Sequence, residues 1–139
     1  MQAHEVKEYY RQITSVDIGA VARALFGDRI TEERGAVIHV DCPVHHSVSG
    51  TSLHIELDTQ LWRCWGCGIS GDVLQLVEFA RHGVVTTGVA GVMTESHRDA
   101  RDWLAEQAGL PKLSHIGLSE VEIAALERRE VTLQRAQAV

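Results

Sequence analysis

Long apolar runs, a surplus of basic residues and an even set of cysteines are all missing from this chain of 139 residues. No stretch approaches the roughly eighteen continuous apolar residues of a membrane span. The opening segment, MQAHEVKEYY, is polar and lacks the apolar core of a secretion signal. Both absences point to a cytoplasmic protein with no membrane partner. Lys and Arg total 13 against 19 Asp and Glu, giving a formal charge of −6. A protein that lives mainly on phosphate neutralisation is usually basic, so strong non-specific nucleic-acid binding is disfavoured, although a local contact surface is not. Aromatic residues are only 5% of the chain, which limits the core to a modest size. No internal repeat, low-complexity tract, P-loop, nucleophile elbow or glycine-rich dinucleotide loop occurs.

The cysteines are few, but they are placed with care. All three fall in two short stretches, CPVH at residues 42–45 and CWGC at residues 64–67. In a reducing compartment an odd, clustered set of thiols binds metal more often than it pairs. Zinc takes four soft or borderline ligands in a tetrahedron, and structural sites are closed by cysteine and histidine alone. Cys42-x-x-His45 and Cys64-x-x-Cys67 supply such a set, and the 18 residues between His45 and Cys64 suffice for one β-hairpin. Pro43 stiffens the first turn, while Gly66 and Gly68 let the second backbone wrap the metal with its amides facing the thiolates. A disulfide Cys64–Cys67 would use the same spacing but would leave Cys42 and His45 without a task. Four good ligands leave no open position for water, so one structural zinc ion is expected. His46 adjoins His45 as a competing ligand, whereas His39, His54 and His97 read as ordinary surface or strand residues.

Around these ligands the pattern is that of an α+β domain, a small antiparallel zinc-ribbon sheet packed against flanking helices. TSVDIGAVARALFGD reads as a short helix with Ile18, Val21, Ala22 and Leu25 on one face, Thr14 or Ser15 as cap and Gly27 as stop. HEVKEYYRQI adds a turn or two of helix before it. Residues 36–41 have strand composition, SLHIELD alternates, and QLWRC runs as a third strand into the second cysteine pair. A helix follows, capped by Ser70 with Asp72 in its first turn and Val73, Leu76, Val77 and Ala80 along its stripe. VVTTGVAGVM is a glycine-interrupted loop or hairpin. SHRDARDWLAEQAGLP is a further helix, with Ser96 and Asp99 resembling a capping box and Trp103 facing the core. Residues 1–112 are expected to form the domain and 113–139 a helical tail or linker.

The residues CPVH followed by WRCWGCGISGDVLQLVEF resemble the CHC2-type zinc-binding domain found at the N-terminus of bacterial and phage replicative DNA primases. The likeness runs over roughly residues 12 to 112, and RDARDWLAEQAGLP is similar to the helix that closes those domains. It implies a zinc ribbon packed on helices, with Cys42, His45, Cys64 and Cys67 as metal ligands. It also implies contact with single-stranded DNA template and assistance to a separate catalytic primase, polymerase or helicase partner. The phosphoryl-transfer centre of such primases lies in a later domain, so this chain is expected to be non-catalytic on its own.

The chain departs from that family where a lysine usually follows the histidine, reading SVSGTSLHI instead. Between Arg34 and His82 it carries three Lys or Arg against five Asp or Glu. Trp62, Arg63 and Trp65 sit together at a strand end and are the candidate nucleic-acid contacts, with Arg34 and Arg81 as further cations. Any single tryptophan is more often packed than exposed. A zinc-ribbon adaptor that docks a replication protein through an acidic face, with Glu56 and Asp58 on it, is the alternative.

Overall fold

The computed structural model describes residues 2–44, 51–88, 93–117, 119 and 121–128. Helix α1 (Ala3–Ile13) is followed by α2 (Ile18–Phe26), a 3-10 turn and five strands, β1 (Ile30–Arg34), β2 (Val37–Val40), β3 (Leu53–Glu56), β4 (Leu61–Cys64) and β5 (Ile69–Gly71). Then come α3 (Val73–His82) and α4 (Glu95–Gln107). The strands form one antiparallel sheet in the order β1-β2-β3-β4-β5, so every strand pairs with its neighbour in sequence. The expected α+β architecture is the one observed.

Strand side chains alternate between faces, and here the two faces differ sharply. Ile38, Val40, Leu53, Ile55, Trp62 and Cys64 point into the core and are buried. Ile18, Val21 and Ala22 of α2, Leu76, Val77 and Phe79 of α3, and Ala100 and Leu104 of α4 complete it. The Trp62 and Phe79 rings stack with centroids 5.1 Å apart. The Trp62 indole N–H donates to the Asp72 carbonyl at 2.8 Å, so its one polar atom is satisfied inside. On the opposite face the pairing aligns Glu32, His39, His54, Arg63 and Ser70 in one row across all five strands.

Two of the five strands escape the sequence pattern. β1 reads ITEER, and four of its five residues are exposed, so no alternation marks it. β5 has only three residues. The helix starts also differ from expectation, because Ser, Thr and Asp compete for each cap. Thr14 and Ser15 close α1 instead, their hydroxyls donating to the Tyr10 and Gln12 carbonyls, and Asp17 caps α2. Ser70 lies in β5. Asp72 caps α3 in a reciprocal box with Gln75. Thr94, not Ser96, caps α4, and Trp103 is half-buried at the margin of the core.

Gln60 ties the sheet to α2. It adopts a left-handed φ of 59° without being glycine, and its side chain accepts from the Ile18 amide and donates to Asp17 and the Leu57 carbonyl. Those bonds offset the backbone cost. Replacing Asp72 with alanine removes the α3 cap and strands the Gln75 amide; a loss of about 1 kcal/mol is expected in urea unfolding.

Candidate metal centre

The thiols stand at one end of the sheet. Cys42 follows β2, Cys64 ends β4, and Cys67 lies in the turn between β4 and β5. Their sulfurs all lie within 4.8 Å of one another. Cys42 and Cys67 Sγ are 3.7 Å apart, close to the edge of about 3.8 Å expected for a tetrahedron with zinc–sulfur bonds of about 2.3 Å. The turn is held by the Gly68 amide donating to the Cys64 carbonyl at 2.9 Å, with Gly68 at a φ of 72°. The first cysteine turn leans on the end of α3, where a β-carbon added at Gly83 would stand 3.3 Å from a Val44 methyl.

The donor chemistry fits a soft divalent cation. Burial raises the Cys64 thiol, but the Cys67 amide, the neighbouring Cys42 and Cys67 sulfurs and the Gly66 amide outweigh it, and Cys64 falls below its ordinary value. Cys67 is pushed up to about 12 by burial and by the two other sulfurs. Three sulfurs this close do not all ionise alone, and a bound cation is what lets them do so. Residues His45 and His46 lie outside the described residues. Among the described residues, no other group of His, Cys, Asp and Glu converges in this way.

The candidate nucleic-acid contacts separate into different environments. Trp62 is only 1% exposed; it faces the core and offers no ring to a base, contrary to the expectation. Trp65, one residue past Cys64, is 62% exposed. The Arg63 guanidinium lies 4.9 Å from its ring centroid, and its indole N–H donates to His54 Nδ1 at 3.3 Å. These three residues line a shallow concavity of about 370 Å³ together with Glu56, Leu61 and Ser70. Arg34 reaches the same face from β1 but is paired with Glu32 at 3.0 Å. Arg81 is elsewhere, on α3, where it donates twice to Asp99. Trp65 and Arg63 stand together; the other three do not join them.

Apolar periodicity does not reveal the buried polar knot behind α3. Glu78 is fully buried, yet its carboxylate accepts from the Thr86 and Thr87 amides, both their hydroxyls and the Ser96 hydroxyl. Burial opposes its charge, but these donors prevail and hold it at about 2. His97 continues the knot, bonding the Thr87 and Tyr10 hydroxyls at 2.9 Å each. It is buried, not on the surface as expected, and burial with the nearby Arg101 lowers its pKa. The knot anchors the segment entering α4 against α3.

Residues 11–106 match the family described as CHC2 zinc finger, of the DnaG type of zinc ribbon. The fold is similar to the crystal structure of the Aquifex aeolicus primase zinc-binding and RNA polymerase domains, with a TM-score of 0.53 and 21% identity. That likeness covers 73% of this chain and 21% of the Aquifex chain, so this chain spans about a fifth of its length. No curated protein matches the sequence significantly.

Proposed function

This chain belongs to the CHC2 zinc finger family, and from that premise we propose that it engages single-stranded DNA template during primer synthesis. In this proposal one zinc ion is held by Cys42, His45, Cys64 and Cys67, and it fixes the turn that presents Trp65. Catalysis comes from another domain or chain, a primase, polymerase or helicase partner in the cytoplasm, with residues 113–139 as tail or linker towards it. The observation that carries the proposal is the exposed Trp65 ring backed by Arg63 on the open sheet face. An aromatic face takes any unpaired base, and a guanidinium beside it reaches phosphate. Among the described residues no helix is long and apolar enough to cross a membrane.

Anisotropy of labelled single-stranded DNA, titrated with zinc-loaded protein at low and moderate salt, tests this directly. Saturable binding that weakens with salt is expected, with a shallow salt slope because few cations face the concavity. Trp65→Ala weakens binding by roughly 1–3 kcal/mol, about 5- to 150-fold, while circular dichroism stays that of the wild type. No binding even at low salt would sink the template proposal and favour the protein-docking adaptor, in which Glu56 and Leu61 of the same face meet a replication protein.

A further inference from the structure

The row of side chains across the open face contains a feature that template binding through Trp65 and Arg63 does not use. His39 and His54 stand directly opposite each other on β2 and β3, with ring centroids 4.5 Å apart and planes at 71°. His54 is in turn joined to Trp65, with ring centroids 6.3 Å apart. The two imidazoles therefore continue the Arg63–Trp65 platform across the sheet, and both are half-buried.

The charges facing this pair come from each strand of the sheet. β1 contributes Glu32 and Arg34, which neutralise each other. β3 contributes Glu56, which accepts from the Thr59 hydroxyl at 2.9 Å. β4 contributes Arg63, and β5 contributes the uncharged Ser70. With both imidazoles uncharged, Glu32 and Glu56 cancel Arg34 and Arg63, and Asp41, two residues after His39, adds one carboxylate, so this face carries no net positive charge. Imidazole is the side chain that changes charge between about pH 5 and 8, so the histidines alone decide whether the face becomes cationic near neutrality. Two imidazolium rings this close repel, and an anion that accepts from both of their N–H edges offsets the repulsion. The indole N–H can only donate, so His54 Nδ1 accepts from it. Protonating that nitrogen breaks this bond and frees the Trp65 edge.

We propose that His39 and His54 form a proton-dependent site for a backbone phosphate of single-stranded nucleic acid, next to the base platform of Trp65 and Arg63. This rests on the template-engagement proposal above and adds its regulation: binding takes up protons, and the site tightens as pH falls. Linkage sets the sign, because an anion that favours the charged imidazoles must bind better where they are charged.

The test uses zinc-loaded full chain and a rhodamine-labelled oligothymidylate of about twelve nucleotides, whose base does not titrate in this range. Ionic strength is held constant from about pH 8 to about pH 6. Binding is expected to tighten about tenfold across that span, and to change less than about twofold in the His39→Gln, His54→Gln double variant. Binding that is equal at every pH, or a pH dependence that survives in the double variant, overturns the histidine site and leaves template engagement standing. No binding at any pH overturns both. Ring proton signals of the two histidines read the pair without DNA: their titration midpoints rise on adding inorganic phosphate, and midpoints that do not move overturn the site by themselves.

Discussion

Cys64→Ser protein is expected to lose its zinc and to melt at a markedly lower temperature than the wild type. Cys64 is fully buried. It ends β4 between Leu53 and Ile69, and its sulfur collects the amides of Gly66 and Cys67. A serine oxygen is shorter, harder and not ionised, so it replaces neither the thiolate bond nor those contacts. Loss of an outer hydrogen bond to a metal ligand typically costs 10- to 100-fold in affinity, and loss of a ligand costs more. Because metal binding and folding share one free energy in small zinc modules, the β4–β5 turn should lose order with the ion. Cys67→Ser is the informative contrast. Cys67 is only half-buried, so its replacement weakens zinc with less damage to the core. Metal content by mass spectrometry, competition with a chromophoric chelator and thermal melts read both variants. One equivalent of zinc and unchanged melting in Cys64→Ser would mean that the metal assignment is wrong.

Glu78→Ala is expected to destabilise the fold by about 3–5 kcal/mol, because it leaves a cluster of buried donors without their acceptor. The Thr86 and Thr87 amides belong to the backbone and cannot rotate away, and Glu78 itself is fully buried. Glu78→Gln separates charge from shape. The folded carboxyl sits at about 2 against an ordinary 4.5. A depressed carboxylate contributes stability that is present above the unfolded value and is lost as pH falls through the folded one. The contribution, roughly 3 kcal/mol for a separation of this size, is therefore intact at neutral pH and drains away from about 4.5 towards 2. Asp99, also held below its ordinary value by Arg81, adds a loss of the same sign in acid. Urea unfolding compared between wild type and Glu78→Gln isolates Glu78: the variant should lack part of the acid slope. Identical slopes would show that the knot does not hold an ionised carboxylate.

The clustering of the three thiols was legible because each half is local: CWGC supplies two and a proline-stiffened turn the third, and one hairpin joins them. The tryptophans are separated by the strand period. Along β4, alternation puts Trp62 on the side of Cys64, a buried sulfur, and Arg63 and Trp65 on the other. That period by itself assigns Trp62 to the core. Helices α2, α3 and α4 were visible in their apolar stripes, while their starts were not, since a hydroxyl or carboxylate one or two residues away offers the same local bond. Glu78 left no trace at all. It follows Val77 and precedes Phe79 in a helix whose apolar stripe is easily read, and its partners are Thr86 and Thr87 in the glycine-interrupted stretch and Ser96 at the start of the next helix. A buried charge is specified by the donors that meet it in space, and sequence periodicity carries nothing about them. β1 was hidden for the opposite reason, its exposed charges masking a strand whose Glu32, Glu33 and Arg34 pair in register with β2.

Those exposed charges have a consequence for how the molecule behaves in a crowded solution. A strand at the margin of a sheet is a template on which another chain can extend the ladder. Here one margin, Thr31, Glu32, Glu33 and Arg34, is charged and irregular, with a break in register after Ile30. The other ends after three residues and turns directly into α3. Neither margin invites a stranger's strand, so the sheet resists growing into an aggregate while leaving its broad face uncovered for a chosen guest.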